Sequence, residues 1–539
     1  MPEGSLLRAP PGARTATPLC RAAQELAALS GWQRYFTAFL LGALLAAGLP
    51  PVDMTPVIFV AFPGLLWLDE GSLGPWASAR LGYAFGFGFF VAGLYWIAAA
   101  LFVDIARFWW ALPFAVVGLP AVLALFTATA LGLTSAVSHR LRLSAVARVA
   151  LFAVAWSAAE WARGHWFTGF PWNLVGYVWS GAFPGALAML QTTAWVGIYG
   201  LSFLTVLAAT LPALLGTASL APLPQRRRAA PGIAAALLIL VPMAAGAVRL
   251  DLSPTRMTGL WLRLVQPSQA EIMHWDPAAV AAELQRLIDL SRAPAPHKLA
   301  AVIWPEGAEP YFLGRDPRPL AAIAALAPKG GYVITGALSA TPPGVKPLRV
   351  WNSIVAIDGK GAIRARYDKA HLVPFGEYVP FHEFLPIDKI TPGAIDLSAG
   401  PGRRTIGLPG LPPFSPVICY EAIFPGAVVD EAARPQWILN VTNDAWYGRT
   451  SGPYQHFAIA RTRAIEEGLP LVRVANNGIS GVIGPTGRVV ARTALDDITY
   501  ADVPLPAALG ATPYEKTGDW TFLAMLAVGL VPAAVRRDR

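Results

Sequence analysis

The chain has 539 residues, 55% hydrophobic and only 14% charged, with a mean hydropathy of +0.48 and a formal net charge of +9. Soluble domains carry about 25% charged residues, which excludes an ordinary water-soluble enzyme, and a disordered chain could not hide this much apolar surface. Two cysteines exclude a disulfide-stapled scaffold. The charges are also uneven: 49 of the 75 Asp, Glu, Lys and Arg residues lie between residues 250 and 516. That division predicts a membrane anchor carrying one large water-soluble domain.

Residues 1–30 form a polar N-terminal segment without the apolar core and small-residue cleavage site of a signal peptide. A helix crossing the hydrocarbon core needs about 20 mostly apolar residues. Seven stretches between 31 and 249 qualify alone or with their flanks: 35–52, 54–68, 81–103, 111–138, 149–159, 194–215 and 231–248. An eighth, 520–535, falls in the C-terminal segment 517–539. The fifth ends in Glu160 and Arg163, a polar pair expected to point toward a site. The charge-free run 169–185, GFPWNLVGYVWSGAFPG, reads as an interfacial aromatic loop, since tryptophan favours the headgroup level.

Arginines in alternate loops set the orientation. Arg8, Arg14, Arg21, Arg34, Arg80, Arg140, Arg142, Arg148, Arg226, Arg227, Arg228, Arg536, Arg537 and Arg539 fall on one side, while the other loops hold Asp53, Asp104 and Arg107. Both termini are therefore expected in the cytoplasm and the domain 250–516 outside it. The positive charge is explained by topology, with no part for nucleic acid. Cys20 and Cys419 then lie on opposite sides of the membrane and cannot pair.

The outer domain alternates short strands and helices. Strands are predicted over 260–266, 299–306, 331–339, 352–359, 415–423, 437–444 and 471–477, with helices over 281–292 and 455–468. Their continuous Val, Ile and Leu runs predict strands buried on both faces. IDGKGAIRARYD and IGPTGRVVART read as hairpins turned at glycine. The alternation predicts an α/β layered domain.

Three segments end in reactive residue types: VIWPEG at Glu306, RYDKAHLVPFGEY at Lys369 and Glu377, and VICYEA at Cys419, followed by Tyr420 and Glu421. A thiol is a strong nucleophile once deprotonated. A carboxylate can take its proton and a lysine ammonium can stabilise an oxyanion. Cysteine, glutamate and lysine therefore suffice for acyl transfer through a thioester, without a metal or cofactor. Spacing alone does not bring the three together, and a lone cysteine at a strand end is more often a small buried hydrophobe.

VIWPEGAEP, RYDKAHLVPFGEYVPF and VICYEAIF resemble, in order and in sequence, the catalytic segments of the nitrilase superfamily. With eight helices around the domain, the chain resembles the apolipoprotein N-acyltransferases in particular. GFPW, VQPSQ, HWDP, WNS, NVTNDAWYG and ANNGISGVIGPTGRVV extend the likeness, with Pro267 and Ser268 departing from the family's more usual glycine and asparagine. The resemblance implies an α-β-β-α sandwich on a polytopic helical membrane domain, with a triad of Glu306 as general base, Lys369, and Cys419 as nucleophile. It implies Glu377 as a supporting glutamate and gives weight to Tyr420, Glu421 and Trp275. Trp446 and Trp172 would line the route for lipid, with interface anchoring an equal reading for Trp172. Asn352 would support the site by hydrogen bonding, or serve as a buried turn residue.

The implied reaction transfers an acyl chain from a membrane phospholipid, through a thioester on Cys419, to the α-amino group of an S-diacylglyceryl cysteine at a lipoprotein N-terminus. Either Glu377 or Glu421 would assist the second proton transfer. The implied setting is a bacterial inner membrane with the domain in the periplasm, and the protein is expected to act as a monomer. Two other readings are a membrane-tethered amidase, with water as second substrate, and a transporter with an accessory domain. Few charges in the spans argue against the transporter.

Overall fold

The computed structural model describes residues 18–216, 225–270, 276–308, 312–313, 317–384, 387, 389–391 and 395–534. Its N-terminal part is a bundle of apolar helices. Among the described residues, five are long and apolar enough to cross a membrane: Pro75–Phe102, Ile105–Leu141, Ala145–His165, Thr193–Gly216 and Ala229–Leu252. The other expected spans are shorter. Gly31–Ala46 has 16 residues, Ile58–Glu70 has 13, and Trp520–Gly529 and Val531–Ala534 follow one another at the C-terminal end. Sixteen residues rise about 24 Å, less than a hydrocarbon core of about 30 Å. Pro63 lies within Ile58–Glu70, whose side chains are almost all buried in the bundle.

The segment expected as an interfacial loop is instead internal. Residues 171–181 are buried throughout, and their backbone polar groups are met by protein. The Val175 N–H donates to Glu160 Oε1 (2.9 Å) and the Gly176 N–H to Ser202 Oγ (2.7 Å). Arg163 donates to the Phe170 and Trp172 carbonyls, both at 2.6 Å. Buried irregular backbone needs its polar groups met by protein, which Glu160, Arg163 and Ser202 do here.

The second part holds twelve strands in two six-stranded sheets. These are β1 (Met257–Gln266), β2 (Leu299–Ile303), β3 (Tyr332–Ala340), β4 (Val350–Asp358), β5 (Ile363–Asp368), β6 (Ile406–Leu408), β7 (Leu411–Ile418), β8 (Trp437–Thr442), β9 (Leu471–Ala475), β10 (Gly481–Ile483), β11 (Val489–Arg492) and β12 (Thr499–Pro506). The orders are β12-β1-β2-β3-β4-β5 and β11-β10-β9-β8-β7-β6. β1–β2–β3 and β7–β8–β9 are parallel, with antiparallel strands at the edges.

The continuous apolar runs follow from this layering. Leu264, Ile303, Ile334 and Leu439 face the core between the sheets. Their neighbours Val265, Val302 and Val333 pack on helices Pro277–Arg292 and Pro317–Ala324, and Ile438 on helix Gly452–Glu467. Each strand thus serves two cores with a period of two. The result is an α-β-β-α sandwich. Both expected hairpins form, with Gly361 and Gly487 at φ +78° and +77° in their turns. The domain also rests on the bundle: Tyr420, Ile423, Phe424, Ile459 and Ile465 share one core with the apolar helices.

Candidate active site

Glu306 follows β2, Lys369 follows β5 and Cys419 follows β7, so each side chain sits where a strand of the sandwich ends. The strand ends bring the three segments together. Lys369 Nζ lies 3.6 Å from Glu306 Oε1 and 3.0 Å from both oxygens of Glu377. Asn352 ties the carboxylates, donating to Glu306 Oε1 (2.7 Å) and to Glu377 Oε1 (3.0 Å). The Asn443 N–H, at the end of β8, donates to Glu306 Oε2 (2.8 Å). The Lys369 N–H donates to the Asn352 carbonyl (2.8 Å), continuing the ladder that fixes the lysine's reach. Gly336 is a packing requirement: a Cβ there would stand 2.6 Å from the Glu306 Cα.

Cys419 opens the short 3₁₀ turn Cys419–Ile423 with φ +47°, a left-handed backbone rare outside glycine, of the kind that clusters at functional sites. Burial, and then the charge of Glu306, push its thiol up to about 12, against the pull of Lys369. Burial also raises the Glu306 carboxyl above its ordinary range, with Lys369 opposing. Burial alone would lower the Lys369 ammonium, but Glu377 and Glu306 outweigh it and hold the lysine charged. The resting arrangement is a neutral thiol beside a lysine cation and carboxylates, able to form a thiolate when a proton acceptor and a substrate are in place.

Glu421 has a different place from Glu377. Its Oε1 accepts from Tyr367 Oη (2.8 Å), the Ala370 N–H (2.7 Å) and the His371 N–H (3.1 Å), and its Oε2 from the Ile418 N–H (2.8 Å). It therefore clamps the segment after Lys369 to the turn that carries Cys419. Tyr420 points toward the bundle, its hydroxyl donating to the Gly169 carbonyl (2.9 Å).

Trp172 is 1% exposed, which removes lipid-facing anchoring as its role. Its indole N–H donates to Gln455 Oε1 (2.7 Å), and its ring lies 4.6 Å from Trp96 and 5.9 Å from Tyr447. Trp446 is half-buried in the turn Asp444–Tyr447, where its neighbour Tyr447 turns toward the sulfur. Trp275 lies outside the described residues.

Sequence reasoning missed a buried layer behind the cysteine. His456 Nε2 is 3.2 Å from the Cys419 carbonyl and His456 Nδ1 is 3.0 Å from Asp444 Oδ1, while Arg473 donates to both Asp444 oxygens (3.0 and 2.7 Å). Burial alone would raise the Asp444 carboxyl, but Arg473 and His456 overturn this and hold it well below the usual range. Asp444 lies in the NVTNDAWYG string, but nothing local links it to residues 456 and 473.

The two-sheet sandwich is a domain of the carbon–nitrogen hydrolase type: residues 262–513, which carry Glu306, Lys369 and Cys419 at strand ends, match the carbon–nitrogen hydrolase family model. A solved CN-hydrolase superfamily protein from Xanthomonas campestris is similar at 21% identity and a TM-score of 0.34, over 46% of this chain and 90% of that one. Residues 41–211 match the model of the apolipoprotein N-acyltransferase N-terminal domain. The chain is also 41% identical to an apolipoprotein N-acyltransferase of Rhodopseudomonas palustris, over 96% of this chain and 98% of that one. It is 43% identical to that of Bradyrhizobium diazoefficiens, over 94% and 96%. The chain belongs to the apolipoprotein N-acyltransferase family and is an acyltransferase.

Proposed function

We propose that this enzyme moves an acyl chain from a membrane phospholipid to the α-amino group of the S-diacylglyceryl cysteine at a lipoprotein N-terminus. The observation that carries the reading is the junction of Cys419, Lys369 and Glu306 with two buried tryptophans of the apolar bundle, Trp96 and Trp172, packed beside Tyr447 next to the thiol. A site built half from apolar helices suits substrates confined to a bilayer.

Glu306 takes the Sγ proton and the thiolate attacks the ester carbonyl carbon. Lys369, with the backbone N–H of Tyr420, holds the oxyanion. The C–O bond breaks, the lysophospholipid oxygen takes the proton back from Glu306, and the acyl group remains on Cys419 as a thioester. The neutral amine then attacks, a carboxylate receives its proton, the C–S bond breaks and the thiolate is reprotonated. The product is an amide. Two substrates using one site in turn give ping-pong kinetics, and Glu377 holds Lys369 through both halves. In this reading eight helices span the inner membrane, seven of them within 31–249, residues 250–516 face the periplasm, both termini are cytoplasmic, and the protein works as a monomer. Trp446 and Trp172 line the route for lipid, and Trp275 contributes to lipid binding.

The test supplies phospholipid labelled in its acyl chain and looks for the label on Cys419 by mass spectrometry. The expected result is an adduct that passes to a diacylated lipopeptide and persists in water. Rapid loss of the label to water would favour an amidase-type hydrolase. Full transfer by Cys419→Ala would overturn the reading.

A further inference from the structure

We propose that the Tyr447 hydroxyl is a further catalytic group, a hydrogen-bond donor to the Cys419 sulfur that stabilises its thiolate, which no conventional triad member does from this side. The inference rests on the acyl-transfer reading above. Tyr447 closes the turn Asp444–Tyr447, and its oxygen lies 3.9 Å from Cys419 Sγ, within reach for a sulfur acceptor. Among the described residues the sulfur is the hydrogen-bond partner of the phenol oxygen, so the phenol proton can be directed at it.

The ring is held from three sides. Its centroid is 4.7 Å from Trp96, edge-on, 5.9 Å from Trp172 and 5.6 Å from His456. The Tyr447 carbonyl accepts from Thr450 Oγ1 (2.7 Å), which fixes the end of the turn. Those neighbours leave the phenol little freedom to turn away. Burial, followed by the charges of Cys419 and Asp444, keeps the phenol protonated, so it donates and does not itself ionise.

The chemistry has two places for such a donor. A buried thiolate is costly beside Glu306 and Asp444, and Lys369 and a hydrogen bond from Thr442 offset only part of that cost. An O–H directed at the sulfur lowers that cost before attack. The same bond forms again when the thioester C–S bond breaks and the sulfur departs with the electron pair. The tyrosine proton stays on its oxygen throughout, and Glu306 still takes and returns the thiol proton. A donor from the aromatic cluster also couples the reactive sulfur to the bundle, because Trp96 and Trp172 belong to it.

The test uses the full-length membrane enzyme in a Cys20→Ser background, so that Cys419 is the one thiol, and compares native protein with Tyr447→Phe. Two quantities are followed: the pH dependence of Cys419 alkylation by iodoacetamide, and formation and aminolysis of the labelled acyl adduct. Tyr447→Phe is expected to alkylate about tenfold more slowly at neutral pH, with its midpoint moved up by about one pH unit, as for loss of a hydrogen bond to a charged group. Both adduct formation and aminolysis should slow. Because the phenyl ring could repack, a second protein carries a fluorinated tyrosine at position 447, a stronger donor of nearly the same shape, for which the midpoint must move down. Coincident alkylation profiles for all three proteins would overturn the role of Tyr447 while leaving acyl transfer standing. A native enzyme that alkylates at Cys419 but never accepts the acyl label would overturn the acyl-transfer reading instead.

Discussion

Glu421 is held between the segment after Lys369 and the turn that carries Cys419. Its four acceptor contacts join Tyr367, Ala370 and His371 on one side to Ile418 on the other, so it sets the distance between Lys369 and the Cys419 turn. Glu421→Gln keeps the shape but leaves only one oxygen. With that oxygen toward Ala370 and His371, the amide NH₂ meets the Ile418 N–H, replacing an attraction by a donor–donor contact. With the opposite rotamer three donors lose their acceptor. Hydrogen bonds to charged groups are worth about 1.5–3 kcal/mol and an orphaned buried donor about 1–3, so the less damaging rotamer costs about 3 kcal/mol. A loop displaced by about 1 Å costs about a hundredfold in rate. The assay pairs denaturant unfolding with the pH–rate profile of acyl transfer. The variant should be less stable by about 3 kcal/mol and about a hundredfold slower, with the profile keeping its shape. Native stability combined with the loss of one limb of the profile would refute the clamp and make Glu421 a proton carrier.

The remaining expectations concern the other buried groups. Asp444→Asn leaves Arg473 charged, wholly buried and without its counter-ion, which should cost about 3–5 kcal/mol in unfolding free energy. Because Asp444 is held below its unfolded value, its stabilisation is present above that unfolded value and is lost as pH falls through the folded one; the Asn variant should lack this acid limb in stability measured against pH. Gly336→Ala drives a methyl to within 2.5 Å of the Pro305 carbonyl and 2.6 Å of the Glu306 Cα, so activity should collapse while stability falls by about 1–3 kcal/mol, read by kinetics and thermal unfolding. The raised Glu306 carboxyl must be ionised to take the thiol proton, so kcat/KM for acylation should fall as pH drops through a value above the ordinary glutamate range, and Glu306→Gln should abolish that dependence together with the activity.

The strand core was legible because parallel strands with two buried faces carry unbroken apolar runs, as in LAAVI and WILNVT. The edges were not. β12 carries Pro504 and Pro506, and β6 has three residues, so neither shows a strand pattern. Helix Pro317–Ala324 opens with two prolines in the RDPRPL string, which hide its start, and it is absent from the predicted elements. Tryptophans 172 and 179 lie in a run read as an interfacial loop, because hydropathy does not tell a lipid interface from a buried surface. What decides it is Glu160 and Arg163, whose partners lie on the segment after their own helix. The triad segments stood out as strings, but the contacts of Tyr447 and His456 come from the packing of one sheet end on the bundle, which no local pattern encodes.

Helix Gly452–Glu467 explains why the anchor and the nucleophile act as one unit. It belongs to the sandwich, yet its residues reach the bundle in succession. Gln455 accepts from Trp172 and donates to the Pro50 carbonyl, and Arg461 donates to the Ser180 carbonyl. Arg463 donates to the Tyr177 hydroxyl and to the Ile423 carbonyl in the nucleophile turn. Glu466 accepts from the Ile198 N–H (2.8 Å), freed where Gly197 at φ +65° breaks a bundle helix. Between these, His456 holds the Cys419 carbonyl. A break in an apolar helix is thus closed by a carboxylate of the catalytic domain, which is the opposite of the water-lined break a transporter needs. The same helix would lose Trp172, Pro50, Ser180, Tyr177 and Ile198 as partners if residues 250–516 were produced alone, keeping only those to Ile423 and Cys419. Its buried arginine and glutamates would face water beside the apolar patch of Ile459 and Ile465, and the Cys419 turn would lose the bond from the Tyr420 hydroxyl to the Gly169 carbonyl. The isolated domain is therefore expected to aggregate or to alkylate at Cys419 with an altered pH midpoint, and a soluble fragment with the full enzyme's alkylation profile and acyl-transfer rate would show that the bundle only anchors the domain.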